Sequence, residues 1–368
     1  MRIPDGEIVT LWPDHIELHS VLDGQPIQRD IEIITETMDA AQKGGYHHFM
    51  LKEIHEQPVV ARELIHLLEN SPDVEPFLER IASARQLYLV GCGTSYHACM
   101  LGAVYFARLA GRSAIPILAP QFIAQYGPAL GPEDVGIFVS QSGETKDVLN
   151  AIQIAQEHEV KILGLVNVIG STLTQVSEHY LPLACGYEIS VPATKTFTNQ
   201  VISFLYLAKR LGKHSTNDLS TLPDLMEKTI DLITPQISEL HPQLQHAGDL
   251  YCLGYGLTYP IALEGSLKLK EITYAHCEGM LSTEFKHGPL SAVYDGYPVL
   301  FVASPEDIPL LISGINEATT RGAHAIVIGE DDASLRSNAH RLITLPRSDA
   351  DFNALLAILP LQMLAYQM

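Results

Sequence analysis

A basic stripe is missing from this sequence of 368 residues, which carries 23 lysines and arginines against 43 acidic residues, a formal net charge of −20. A nucleic-acid backbone is gripped by clustered basic side chains, so the composition excludes nucleic acid as a partner. A small phosphate ester remains open to it, because backbone N–H groups, hydroxyls and helix N-termini can hold one locally. Cysteine is sparse: Cys92, Cys99, Cys185, Cys252 and Cys277 are scattered, with no CxxC pair. That pattern gives no disulfide framework and reads as a reducing compartment. No apolar run reaches the roughly 18 residues of a membrane span. The nearest, Ala354 to Tyr366, is interrupted by Pro360 and Gln362. With no signal-peptide pattern at its start, the chain is expected to be cytoplasmic and to have no membrane partner. None of the 16 histidines stands at a recognisable metal-ligand spacing, so neither a metal nor another cofactor is expected.

What is present is apolar patterning for two ordinary domains: hydrophobic residues make up 46% of the chain. Glu7–Trp12 and His15–Val21 read as a strand pair around the turn at Pro13–Asp14. A polar helical segment is expected over residues 34–68, broken at Ser71–Pro72. From Gln86 onward, short apolar runs alternate with helical stretches. The runs are Leu87–Val90, Ile115–Leu118, Val135–Val139, Ile162–Val166 and Tyr180–Leu183. Such alternation is the mark of a parallel sheet covered on both faces. A long helix from about Thr194 to Leu211 and a polar stretch close this unit, and a connecting helix follows. A second unit then repeats the alternation at Asp249–Leu253, Val299–Ala303, Ala323–Ile328 and Leu342–Leu345. The units are also related in sequence: LYLVGCGTSYHA at Leu87–Ala98 aligns with LYCLGYGLTYPI at Leu250–Ile261, 163 residues later. Each copy reads as strand, Gly-x-Gly turn, helix. The third glycine of G-x-G-x-x-G is absent from both, which argues against a dinucleotide. A duplicated α/β architecture is therefore expected, with ligand bound between its halves.

Three places carry candidate chemistry. Ser140, Gln141, Ser142 and Thr145 follow the third strand and open a helix, where ligands of parallel sheets sit. An ordinary N-cap uses one hydroxyl; three hydroxyls and an amide favour a phosphate site at the helix N-terminus. Gly93-Thr94-Ser95 stands at the matching first strand end and reads equally as a cap or as the crevice's other wall. On the helix expected over Pro260–Tyr274, Glu264, Lys268 and Glu271 fall at i, i+4 and i+7 on one face. Ile261 and Ile272 flank this stripe on one side and Leu267 and Tyr274 on the other, with Ala262, Ser266 and Thr273 opposite. Charges running down an apolar arc must be paired or face a wet cavity, which makes them functional candidates. His287, before a Gly-Pro turn, reads by itself as structural more readily than catalytic.

Taken together, CGTS (Cys92–Ser95), SQSGET (Ser140–Thr145), ATKTFTNQ (Ala193–Gln200), ALEGSLKLKEITY (Ala262–Tyr274) and EFKHGPL (Glu284–Leu290) resemble the isomerase domain of the glucosamine-6-phosphate synthases. The resemblance implies the sugar-isomerase (SIS) fold, two related flavodoxin-like subdomains each with a helix-sandwiched parallel sheet. It divides the chain into remnant strands of a glutaminase domain (1–30), a helical interdomain segment with YHHFMLKEIHEQP (31–85), a first subdomain (86–212), a connecting helix (213–248) and a second subdomain (249–368). It implies conversion of fructose 6-phosphate and ammonia to glucosamine 6-phosphate, with glucose 6-phosphate as a further ligand. It assigns the phosphate to Ser95, Ser140, Gln141, Ser142 and Thr145, and further sugar contacts to Cys92, Gly93, Thr94, Val191, Ala193 and Glu264. Glu271 becomes the base acting between C1 and C2, Lys268 a site-lining lysine, and His287 a ring-opening histidine entering from the other subunit of a homodimer. Three departures accompany it: the glutaminase body is missing, Ala193 replaces a serine that touches sugar, and the family's tail with its Schiff-base lysine is not in the sequence. A sugar-phosphate sensor and a deaminase or deglycase of the same fold are the alternatives. A sensor needs the phosphate loop but neither the Glu264/Lys268/Glu271 stripe nor His287.

Overall fold

A computed structural model describes residues 6–29 and 42–368 and divides the chain into two compact units, residues 1–42 and 43–368. In the first, β1 (Glu7–Leu11) and β2 (Ile16–Ser20) form an antiparallel hairpin in the register Glu7↔Ser20. Arg29 donates to both carboxylate oxygens of Glu7, at 2.7 and 2.9 Å. The strands are each shorter than the sequence suggests, and the helix expected from residue 34 falls through 41 outside the described residues. Residues 42–48 are turns and bends, and α1 begins only at Phe49 (Phe49–Asn70). Beyond the break at Ser71–Pro72, α2 (Val74–Ser83) forms a helix that the sequence pattern does not announce.

The larger unit contains two five-stranded parallel sheets. The first comprises β3 (Leu87–Gly91), β4 (Ile115–Leu118), β5 (Val135–Ser140), β6 (Lys161–Val166) and β7 (His179–Pro182), in the order β4-β3-β5-β6-β7. The segments between them hold α3 (Thr94–Ala110), α4 (Phe122–Tyr126), α5 (Lys146–Glu157) and α6 (Thr172–Val176); α7 (Lys195–Leu211) and α8 (Leu222–Leu244) lead onward. The second comprises β8 (Asp249–Gly254), β9 (His276–Leu281), β10 (Pro298–Val302), β11 (His324–Glu330) and β12 (Arg341–Leu345), in the order β12-β11-β10-β8-β9. Its helices are α9 (Thr258–Thr273), α10 (Ile308–Thr320) and α11 (Ala333–Asn338), with α12 (Ala350–Leu356) and α13 (Ile358–Gln367) after the last strand. Numbered within each sheet, both run 2-1-3-4-5, the flavodoxin-like order. The expected duplication is thus a duplication of topology.

Alternation along each strand builds the layers, because successive side chains point to opposite faces. Leu87, Leu89, Ile137 and Val139 enter the central core, whereas Tyr88, Val90 and Phe138 pack outward under α4 and α5. In the second sheet Leu250, Cys252, Leu300 and Val302 face the same central core, and Tyr251, Leu253, Val299 and Phe301 the outer one. Residues of α1, α3, α7, α8, α9 and α13 share that central core. With both faces covered, the strands read as near-continuous apolar runs. The Ala354–Tyr366 stretch is apolar for a related reason: α12 and α13 are buried almost entirely. Among the described residues no helix is long and apolar enough to cross a membrane.

The repeated turn rests on one shared close approach. A Cβ on Gly91 would lie 2.9 Å from the backbone carbon of Ser95, and one on Gly254 2.2 Å from the carbonyl oxygen of Thr258. Both positions therefore require glycine for the helix to start tight against its strand. One strand, β9, has no counterpart among the apolar runs of the sequence. Its run His-Cys-Glu-Gly-Met-Leu is neither continuous nor strictly alternating, since it is a half-exposed edge strand paired only with β8.

Candidate active site

The switch point of the first sheet lies between β3 and β5, and both loops singled out in the sequence leave the sheet there. After Ser140 the chain bends through Gly143, whose φ is +67° and whose added Cβ would fall 2.1 Å from Ser171 Oγ. Ser140 Oγ accepts the Gly143 N–H at 3.0 Å and lies 3.1 Å from Thr145 Oγ1. Ser142 Oγ accepts the Glu144 N–H at 3.1 Å. Glu144 in turn accepts from the N–H and hydroxyl of Thr172, both at 2.7 Å, and so braces the loop from outside. Thr145 occupies the N-cap position of α5 but its hydroxyl caps nothing in the helix. The ordinary-cap explanation therefore fails for this residue, whose hydroxyl pairs with Ser140 beside the N–H groups of the helix's first turn.

Across the crevice stands the first turn, with Gly93 at the N-cap of α3. Cys92, Ser95, Ser140, Gln141, Ser142 and Thr145 line a cleft of about 150 Å³. Burial pushes the Cys92 thiol above its ordinary pKa, with Asp147 adding to the shift, so the thiol stays neutral. Beside Val139 and Val148, the cleft's polar lining consists of hydroxyls, an amide and a thiol, without a lysine or arginine among them.

The α9 stripe reaches this turn from the second sheet. Lys268 Nζ lies 2.7 Å from Glu271 Oε2 and 3.3 Å from Glu264 Oε1, and donates to Thr94 Oγ1 at 3.2 Å. Thr94 donates to Glu264 Oε1 at 3.0 Å, and His97 Nδ1 is 2.7 Å from Glu264 Oε2. Glu264 and Lys268 are wholly buried, while the Glu271 side chain keeps 30% of its exposure. Burial works against the Lys268 charge, but the carboxylates of Glu264 and Glu271 outweigh it and hold the ammonium above the ordinary lysine pKa. The charges are thus paired, as their apolar setting demands, and the one reaching solvent is a carboxylate.

One expectation about this helix needs correction. Tyr274 does not flank the stripe: it is the left-handed C-cap after Thr273 and is 91% exposed. Ala262 and Ser266, on the face opposite the stripe, are buried as well, and Ser266 Oγ donates to the Cys277 carbonyl on β9. Small residues stand there because the strand passes close, which a helical wheel cannot reveal.

The remaining candidates lie elsewhere. Val191, 92% exposed, and Ala193 sit on the loop between β7 and α7 and do not line the cleft. That loop is anchored by the buried Glu53 of α1, which accepts the N–H groups of Ile189 and Ser190 at 2.6 and 3.1 Å. His287 ends a 3-10 turn and is exposed, and among the described residues no hydrogen bond or ion pair joins it to the α9 cluster. His97 is a partner of Glu264 that the motifs do not single out. A signal for it exists: it follows Thr94 by three residues and so shares its helix face.

The sequence profile of the SIS domain matches residues 80–210 and 243–368. A glutamine–fructose-6-phosphate aminotransferase (isomerizing) of Methanothermobacter thermautotrophicus is 39% identical over 99% of the chain and 61% of its own length. The enzyme of the same name from Pyrococcus horikoshii is 35% identical over 100% of the chain and 62% of its own length. The chain therefore spans about three-fifths of these relatives. The C-terminal domain of glucosamine-fructose-6-phosphate aminotransferase from Francisella tularensis superposes with a TM-score of 0.78 at 28% identity, covering 89% of this chain and 97% of that one.

Proposed function

The chain belongs to the SIS domain family, and from that premise we propose that it is the isomerising part of a glutamine–fructose-6-phosphate aminotransferase, converting fructose 6-phosphate and ammonia to glucosamine 6-phosphate. The carrying observation is the junction of a hydroxyl-lined cleft at the β3/β5 switch point with the α9 carboxylate–lysine group through Thr94. Ser95, Ser140, Gln141, Ser142 and Thr145 hold the phosphate, with Cys92 and Gly93 completing the wall. Thr94 and Glu264 hold Lys268, and Val191 and Ala193 edge the sugar side. Ammonia adds to C2 of the open-chain ketose and water leaves. Glu271 then takes a proton from C1 and returns one to C2, while the C1 hydroxyl proton passes to the imine nitrogen, so that the aldehyde and the C2 amine form together. Lys268 remains an ammonium beside the charge that develops on the sugar oxygens. His287 assists ring opening from a second copy of the chain; its exposure away from its own cluster suits that role. The reading makes the protein a cytoplasmic homodimer. A sensor of sugar phosphates has no use for a buried lysine between two carboxylates, which favours catalysis.

Incubation with fructose 6-phosphate and ammonium tests the reading: glucosamine 6-phosphate is the expected product, and no product with no binding of any hexose 6-phosphate overturns it. Within the cleft, Ser142→Ala together with Thr145→Ala removes two hydrogen bonds to a charged group. Sugar-phosphate binding should weaken by about 3–6 kcal/mol, measured by calorimetry, with the fold retained because the two side chains bond only within their own loop. Unchanged affinity would take this loop out of the phosphate site.

A further inference from the structure

We propose that Gln200, on α7 and remote in sequence from every loop of the cleft, is a positioning residue that fixes the Ser95 hydroxyl as a donor into the cleft. The inference rests on the functional reading above, in which Ser95 holds phosphate. Gln200 is wholly buried, and its Nε2 donates to Ser95 Oγ at 2.9 Å. Its Oε1 is buried without a hydrogen-bond partner.

The polarity of this bond decides what Ser95 can offer. An amide nitrogen only donates, whereas a hydroxyl has one proton and two lone pairs. Once Ser95 Oγ accepts from Gln200, its own proton is free to point into the cleft, toward an anionic oxygen. With the amide turned over, Ser95 would donate to Oε1 and present lone pairs to the phosphate. The turned amide would also bury both N–H donors of Gln200 away from Ser95. An orphaned buried N–H is rarer than an under-satisfied carbonyl, which favours the orientation observed. In a cleft lined by no lysine or arginine, the direction of each hydroxyl proton carries the attraction. Ser142 on the other wall follows the same logic: it accepts the backbone N–H of Glu144, which likewise leaves its proton for a ligand.

Gln200→Met keeps nearly the same volume and removes the donor. Calorimetry with fructose 6-phosphate should show Kd raised about 2- to 10-fold, as for a lost neutral hydrogen bond that no longer fixes the Ser95 proton. Binding to substrate and transition state is lost equally, so KM should rise with kcat held within a few-fold. The decisive readout is a double-mutant cycle with Ser95→Ala. In the Ser95→Ala background, Gln200→Met should have no further effect on Kd. Additive losses, or a fall in kcat at unchanged KM, overturn the inference. If Gln200→Met does not fold by circular dichroism, Gln200→Asn, one methylene too short to reach Ser95, carries the same cycle with the same outcomes. A wild-type protein that binds no hexose 6-phosphate overturns the functional reading; one that binds while the cycle shows no coupling overturns this inference alone.

Discussion

Glu271→Gln should lower the isomerisation rate by roughly 10²–10⁴-fold while leaving fructose 6-phosphate binding within a few-fold. The substitution keeps the side-chain volume and a carbonyl oxygen for the Lys268 ammonium, now 2.7 Å from Oε2, but an amide cannot take the C1 proton. Lys268 retains Glu264 and Thr94 as partners, so the fold should hold. Single-turnover assays on fructose 6-phosphate and ammonium separate the chemical step from binding. A rate near that of the wild type would place the base elsewhere and remove Glu271 from the proposed mechanism.

Lys268→Met should destabilise the protein by about 3–5 kcal/mol, the usual result of breaking a buried ion pair from one side, with the proposed activity falling roughly 10²–10³-fold. Lys268 and Glu264 are both wholly buried. Without the ammonium, Glu264 keeps Thr94 and His97 but loses its strongest compensating charge. Urea unfolding monitored by circular dichroism gives the stability change. Adding Glu264→Gln removes the stranded carboxylate, and most of the lost stability should return while activity stays low. A double variant as unstable as the single one would mean that the cost is packing around the lysine stem rather than unpaired charge.

Both variants change residues that local sequence spacing is enough to single out. The i, i+4, i+7 spacing of Glu264, Lys268 and Glu271 puts them on one helix face wherever the helix lies, because that follows from 3.6 residues per turn. The Ser140–Thr145 loop is legible because a parallel strand followed by a helix presents its connecting residues at the ligand end of the sheet. The partners are not legible. Thr94 and His97 stand 170 and 167 residues from Glu264, and Gln200 stands 105 residues from Ser95. No local period relates residues so far apart. β9 is invisible for a different reason, since an edge strand exposed on one side need not read as an apolar run.

The sequence by itself determined the duplicated strand–turn–helix units, their covered sheets and the candidate stripe and loop. These depend on backbone periods and on the glycines that let each helix start against its strand, which are properties of neighbouring residues. Only the tertiary structure decided that the stripe beside the second sheet meets the first turn of the first sheet, that Thr94 joins them, and that Glu264 and Lys268 are sealed inside while Glu271 keeps an outlet. Those outcomes depend on which faces the two sheet layers of the larger unit bury together, and burial is what turns a row of charges into a paired network with a single carboxylate left toward solvent.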